Sequence, residues 1–526
     1  MSSGVKKAKK KASELRRAAK QAERKRLSRE RKYVVWKHLT RNQKEVAKRL
    51  AHGQGCDYVH DGSWGFFDRF MTFLKGINYL ATLNLDGEGY ARQMITIAKL
   101  LLTYQARVLL GIDSVNKIPH VLFGDIGLLM TLGWTAIQIK QGVCKRGKGK
   151  HNGPIHKDTL PDCLERLGVE EITQCLNDGI KLLRKIGIRF SGIFALDATD
   201  LRTTAKCKGR GAKRIEHKKR DKEGNLVVIP EIIYGFKLLL VFDVFNRYVV
   251  AAKMLQIQEN ENPYLLEMVE QARRNIGRNA IRLLLVDRGF LDGKRLWQLK
   301  HKLGIDFVVP AKTNLTITND IRGMRDLPED ANLHRQVWET KKGVVKTIGV
   351  AGFRTFDEYH DPKHKTAEPE QINAVMVMCW EGLEYMRGKE KAFLTSLDVS
   401  EPRQVIDRYD LRSLIENCGN RDLKQGWLIN NYPKKQVDAI RAHVYLTLGM
   451  FNMTLAYRSD EGEEIAAECI RRYRVKTVLR ARHKCMIVCG DHYAIFDLEE
   501  LMMLLGQPVR CPMRTDEDEF RKLHGL

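Results

Sequence analysis

Apolar runs long enough to span a bilayer are missing from this 526-residue chain, and the opening "MSSGVKKAKKKASELRRAAK" has no apolar segment of the secretory kind. A soluble intracellular protein without membrane partners is therefore expected. A cysteine framework is missing too. The eleven cysteines are odd in number and follow no framework spacing, which excludes a disulfide-built secreted scaffold and predicts reduced thiols packed as small hydrophobes. Acidic residues are the third shortage: 64 Asp and Glu face 91 Lys and Arg, a formal charge of +27. Such an excess points to a polyanionic partner, either nucleic acid or an acidic membrane surface.

At 43% hydrophobic the chain can fold, and its length calls for two or more domains. Residues 1–32 hold fourteen Lys or Arg against three Glu, a net of +11 that leaves +16 on the rest. This basic arm reads equally as a solvated tail or a DNA-phosphate arm. From 33 to 190 the spacing is helical, as in "QMITIAKLLLTYQARVLLGI", and predicts a helical N-terminal domain. Within it "GLLMTLGWTAIQIKQG" has a weak helix-turn-helix pattern that a packed helical pair would also give.

After residue 190 the rhythm changes. "IFALDA" reads as a buried strand, "EIIYGFKLLLVFDVFNRYVVAAKML" as two more joined by a turn, and "AIRLLLVDRGF" and "IDFVVPAK" as later strands separated by helices. Three strands in hairpin succession, then helix, strand, helix, strand, is the order of a ribonuclease-H-like mixed α/β sheet. That core occupies 191–311, a β-rich insertion follows over 312–401, and "EPRQVIDRYDLRSLIENCG" opens its final helices over 402–455, with Pro402 near the start and Gly419 near the end. Residues 456–526 remain as a C-terminal region that could pack on the core or pair protomers.

Three carboxylates stand out against this order. Asp197 interrupts a buried run, where a charge costs free energy unless a cation or hydrogen bonds compensate it. Asp287 ends "RLLLVD", and Glu416 lies on the late helix. Each alone has a plain structural reading, as a strand-end cap, a turn acid or one side of a helix ion pair. Jointly, at strand ends where distant segments converge, they form an oxygen-only set suited to Mg²⁺ or Mn²⁺. Two such ions can activate water and stabilise a leaving oxygen in phosphodiester chemistry. Thr199 should share a strand face with Asp197, whereas Asp200 should face away and belong to the following turn.

"LDATD", "VDRGF" and "YDLRSLIENCGNRDLKQGW" together resemble the three catalytic regions of DDE transposases of the insertion-sequence type that carry a Y-R-E-K signature. The likeness covers roughly 190 to 455. It implies Asp197, Asp287 and Glu416 as the metal-binding catalytic triad, and Tyr409 and Arg412 as contacts to DNA near the cleaved end. Spacings of three and four place Tyr409, Arg412 and Glu416 on one helix face. The signature lysine usually lies seven residues after the glutamate. Here Leu423 holds that place and Lys424 follows at eight, which on a regular helix turns it by about 100°. Either a break at Gly419 restores its aim, or Arg421 takes the role.

The resemblance further implies binding of terminal inverted repeats, metal-dependent cleavage and strand transfer of the cut-and-paste kind, a synaptic homodimer on element and target DNA, and a bacterial cytoplasm or nucleoid. Two alternatives are a structure-selective nuclease on the same fold and a transposase-derived DNA-binding protein without catalysis. The dense positive run "KCKGRGAKRIEHKKRDKEGN" reads as a hairpin tip touching DNA or as a solvated loop. Trp338 and Trp380 are available in the insertion for base flipping, with core packing the expected role of both. The set His483, Cys485, Cys489 and His492 matches no common zinc spacing, because "MIVCGDHYAIF" reads as strand, turn, strand.

Overall fold

The computed structural model describes residues 39–62, 67–85, 95–142, 153–220, 226–328, 331–460 and 484–506. The basic arm over 1–32 and His483 lie outside them. The described residues up to 163 together with 484–506 form one compact unit, and those of 164–460 form another. No described helix is long and apolar enough to cross a membrane. The described cysteines are all free thiols.

The first unit begins with strand β1 (Thr40–Arg41), helix α1 (Gln43–Ala51) and strand β2 (Tyr58–Gly62). Asn42 starts α1 by accepting a hydrogen bond from the Glu45 amide. Helices α2 (Phe67–Gly76) and α3 (Ile97–Leu109) follow, the latter buried along nearly its whole length. The helix-turn-helix-like stretch forms α4 (Ile126–Thr131) and α5 (Ala136–Gln141), each only six residues long. Trp134 between them is buried and donates its indole N–H to Thr103 Oγ1 at 3.0 Å, which ties the turn into the core as a packed pair.

The second unit opens with α6 (Val169–Lys185) and the strands β3 (Ile193–Thr203), β4 (Gly211–Arg220), β5 (Leu226–Asp243) and β6 (Val249–Gln256). Then come α7 (Leu265–Ile276), β7 (Leu283–Val286), α8 (Gly293–His301) and β8 (Asp306–Pro310). β5 pairs antiparallel with both β3 and β6, while β7 runs parallel to β3 and β8 parallel to β7. The spatial order β6, β5, β3, β7, β8 is the ribonuclease-H-like core. Its central strands are apolar on both faces because helices cover them: every residue of β7 is buried.

After α9 (Thr316–Gly323), the insertion supplies β9 (Leu333–Thr340), β10 (Gly343–Phe353), β11 (Ile372–Glu381), β12 (Glu384–Tyr385) and β13 (Lys391–Thr395). β13 pairs antiparallel with β8, so these strands continue the core sheet, giving eleven strands in all. Trp338 and Trp380 depart from their expected core role. Both are half-exposed, with Arg403 4.0 Å above the first ring and Lys346 5.1 Å from the second. Trp338 pairs through Val345 and Trp380 pairs with Val344, which sets them on opposite faces of the sheet.

The late helices are α10 (Pro402–Asp410), α11 (Arg421–Gln425) and the long α12 (Val437–Asp460). α12 is buried on most sides and seals the β6 edge. Asn452 accepts from the Val249 amide and donates to its carbonyl, and Tyr445 accepts from the Met254 amide. The chain then returns to the first unit with β14 (Lys484–Cys489), β15 (His492–Asp497) and α13 (Leu498–Leu504). β14 pairs with β2, and β15 with β14 and β1, giving a four-stranded sheet on which α1 packs through Val46, Ala47 and Leu50. The C-terminal hairpin is thereby spent on pairing within the chain. The N-terminal region, expected to be helical, also contains two strands, which its spacing did not reveal because β1 has only two residues and "YVHDG" carries no apolar run.

Candidate active site

In the parallel register of β3 and β7, Leu196 stands opposite Val286, the last residue of β7. The next residue on each strand is an aspartate. Asp197 and Asp287 therefore stand side by side where β7 ends and β3 continues. Asp287 precedes the tight turn Arg288–Phe290 and makes no side-chain capping bond to it; its carbonyl accepts from the Phe290 amide, and the buried Phe290 ring anchors the turn. Asp200, expected in a following turn, lies inside β3, because that strand runs on to Thr203.

Glu416 reaches the site by an irregular route. α10 ends at Asp410, and residues Ile415–Asn420 form a π-helical segment that closes with Arg421 N–H donating to Glu416 C=O. Arg412 donates from Nη2 to Glu416 Oε1 at 2.6 Å, and its Nη1 lies 3.5 Å from Asp197 Oδ2. Its guanidinium also lies 5.9 Å from the Tyr409 ring, which packs against Phe393 at 4.8 Å. One half-buried arginine thus links the strand acid to the helix acid.

The electrostatics follow from burial. Desolvation pushes the Asp197 carboxyl up to about 6, Arg412 opposes the rise, and Glu416 and Asp287 add to it. Burial also pushes the Tyr409 phenol up to about 12. For Arg412, burial works against the charge, but Tyr409, Asp197, Glu416 and Asp287 together more than offset it and leave its pKa raised. The three acids and the arginine therefore share one field. By contrast, the fully buried Asp243 has its needs met by the amides of Ser191, Phe245 and Asn246, a purely structural carboxylate.

In this arrangement no three His, Cys, Asp or Glu among the described residues are grouped to hold a metal ion. Arg412 stands between Asp197 and Glu416, and Glu416 is 53% exposed. The donor chemistry nevertheless suits a hard divalent cation, since the carboxylates are oxygen ligands and Asp197 is under-compensated by Arg412 alone. Cys485, Cys489 and His492 sit in paired strands, the cysteines buried.

The π-helical segment decides where Lys424 points. A π turn takes up one more residue than an α turn, so the eighth residue after Glu416 comes round to where a seventh would stand on a regular helix. Lys424 is half-buried, burial lowers its pKa, and Asp200 and Asp197 act to raise it. With Thr199, Asp200 and Arg202 it lines a cavity of about 440 Å³. Arg421 stands exposed. Gly419 does not end the helix. It lies within the π segment, where an added Cβ would meet the Phe242 ring at 3.2 Å, so its smallness lets the segment approach β5.

Two features beside Asp287 escaped the sequence. Lys237 is buried on β5 and donates to the Glu259 carbonyl at 2.7 Å and to the Glu261 carboxylate. An added Cβ at Gly289 would stand 2.9 Å from Glu261 Oε1, so the Glu261 carboxylate lies close over the turn after Asp287. Arg288, Lys312, Asn260, Asn262 and Asn314 line a cavity of about 530 Å³ at this edge. The only available signals were asparagines clustered in "NENP" and "KTN", which read equally well as turns.

No curated protein matches the chain. A cryo-EM structure titled as the piggyBac transposase synaptic complex with hairpin DNA is similar at 12% identity and a TM-score of 0.37, over 88% of this chain and 84% of that one. The family described as transposase DDE domain matches residues 188–453, a span that holds Asp197, Asp287 and Glu416 and the ribonuclease-H-like sheet. The chain belongs to the DDE transposases.

Proposed function

We propose that Asp197, Asp287 and Glu416 form the catalytic centre with which this transposase cuts the ends of its own element and joins the freed 3′-hydroxyl to target DNA. The observation that carries this reading is the register that sets Asp197 beside Asp287, with Arg412 linking Asp197 to Glu416. DDE transposases use divalent metal ions. Here the three carboxylates would hold them, magnesium with manganese as substitute, in a pair. Bound there, the ions would supply an activated water and stabilise the leaving oxygen.

The chain's own residues do the positioning. Glu416, half-exposed on the π segment, releases Arg412 and turns toward the aspartates. Arg412 is then available for a DNA phosphate, a bidentate target for its planar fork. Tyr409, held by Phe393, orders that arginine and contacts the same strand. Lys424 reaches a neighbouring phosphate from the Asp197 side, and Arg421 contributes at the periphery. Phosphoryl transfer asks mainly for such placement and charge stabilisation. The full reaction is cut-and-paste transposition by a homodimer that brings two terminal inverted repeats together, with the first unit engaging the DNA end.

Incubating the protein with a labelled element end, Mg²⁺ and a target plasmid tests this reading. Joined products are expected. Cleavage without joining would make the protein a nuclease on the same fold. Retention of DNA without any chemistry would leave a DNA-binding protein that has lost catalysis.

A further inference from the structure

The hairpin of β4 and β5 reaches well beyond the sheet. β3 pairs with β5 only as far as Thr203 opposite Tyr234, and β6 pairs with it only from Phe236 onward. Residues 226–233 of β5 therefore have β4 as their one described partner, and residues 213–220 of β4 have only β5. The result is a two-stranded ribbon with both long edges open. It leaves the sheet at the carboxyl end of β3, six residues beyond Asp197 on the same strand. From Tyr234 out to Leu226 it extends about 27 Å, at about 3.4 Å per residue.

Its surface is unusual for a free element. Val227, Val228, Ile229 and Ile232 are 42 to 58% exposed, so aliphatic side chains face solvent on both sides of the ribbon. Lys213, Arg214 and His217 are exposed on the opposite strand, and His217 pairs with Glu231 at 2.6 Å. Over its length β4 carries five Lys or Arg against one Glu. An exposed ribbon with this much apolar surface is built to be covered.

We propose that the ribbon is a DNA clamp, lying along the duplex whose end is seated at the three acids. This rests on the transposase reading given above and extends its DNA-binding surface. Charge complementarity selects the occupant, because a second copy would bring the same positive strand and a chain of net charge +27. The edges point the same way: Lys and Arg on one strand and Pro230 on the other are devices that discourage strand addition by another protein. A two-stranded ribbon fits the major groove, where cations meet phosphates and aliphatic groups meet sugars and thymine methyls. At about 3.4 Å per base pair, the length of the ribbon corresponds to about eight base pairs.

Two variants of the full chain test the clamp on a duplex carrying the element end, with chelator present so that binding is read apart from chemistry. One replaces residues 213–233 by an Asn-Gly turn, and the other is Lys213→Glu with Arg214→Glu, which leaves the backbone intact. The shortened variant is expected to lose about eight base pairs from one side of the hydroxyl-radical footprint. Charge reversal is expected to flatten the log-log salt dependence by about 1.8, two phosphate contacts at about 0.9 each. An unchanged footprint and slope would overturn the clamp. So would unchanged DNA binding with lost self-association in sedimentation, since that result assigns the ribbon to a second copy. A wild-type chain that shows the footprint but never cuts with Mg²⁺ would sink the catalytic reading and leave the clamp standing.

Discussion

Asp197 is the residue on which charge and burial meet most directly. In the proposed catalytic centre it must be ionised to hold a cation, yet burial raises its carboxyl from an ordinary 3.8 to about 6. A folded-state pKa above the unfolded value means that the folded state favours the protonated form. Its contribution to stability is therefore complete below about pH 4 and is lost as pH rises through about 6. In chelator, Asp197→Asn should gain on the wild type by roughly 2–3 kcal/mol across that window, read from denaturant unfolding of both proteins at each pH. A gap that stays constant with pH would show that Asp197 is compensated by its surroundings. Asp287→Ala acts differently. It removes the acid at the end of β7 while leaving the basic surface, so Mg²⁺-dependent cleavage should fall at least about a hundredfold with end binding unchanged in a mobility-shift assay. Both aspartates were legible in the sequence, because an apolar run that stops at a carboxylate signals either a cap or a site. Their side-by-side register was not, since it depends on which strands pair.

Helical structure from Pro402 to Gln425 shows what counting residues can and cannot reveal. The offset of eight between Glu416 and Lys424 flagged an irregularity, and the π segment over Ile415–Asn420 is its physical form. What no count could supply is the link from Arg412 to Asp197, which depends on the helical segment being docked against β3. A pair of length changes tests the π segment directly. Deleting Cys418 should let the segment relax to an α-helix with Lys424 at seven residues, so the lysine keeps its direction and strand transfer survives. Inserting one alanine after Cys418 adds a residue the segment cannot absorb, turns Lys424 by about 100°, and should reduce strand transfer more than the deletion does. The reverse ranking would mean that Lys424 does not depend on the π geometry. The insertion strands were legible as β-rich, but their continuity with the core sheet was hidden, because β13 gives no local sign that its partner is β8.

At the level of the molecule, the least legible feature is that the two ends of the described chain build one sheet. β1 and β2 are too short and too polar to announce themselves, and their partners β14 and β15 lie more than four hundred residues away. The packing makes the C-terminal hairpin structural for the first unit. Val46, Ala47 and Leu50 of α1 pack into the same core as Cys485, Ile487, Ala494 and Phe496. A chain ending at residue 460 would expose the α1 face. Burying a large aliphatic side chain contributes roughly 1.5–3 kcal/mol. Losing several such contacts together with the β2 pairing is comparable to the whole stability of a small unit, on the order of 5–15 kcal/mol. Hydrogen exchange on the truncated chain should therefore find the amides of 43–51 and 58–62 unprotected. Those of β3, β5 and β7 should keep their protection, because 164–460 forms a compact unit with its own core. Retained protection over 43–51 would show that the first unit folds without the hairpin. Loss of protection in β3 and β7 as well would show that the two units unfold as one.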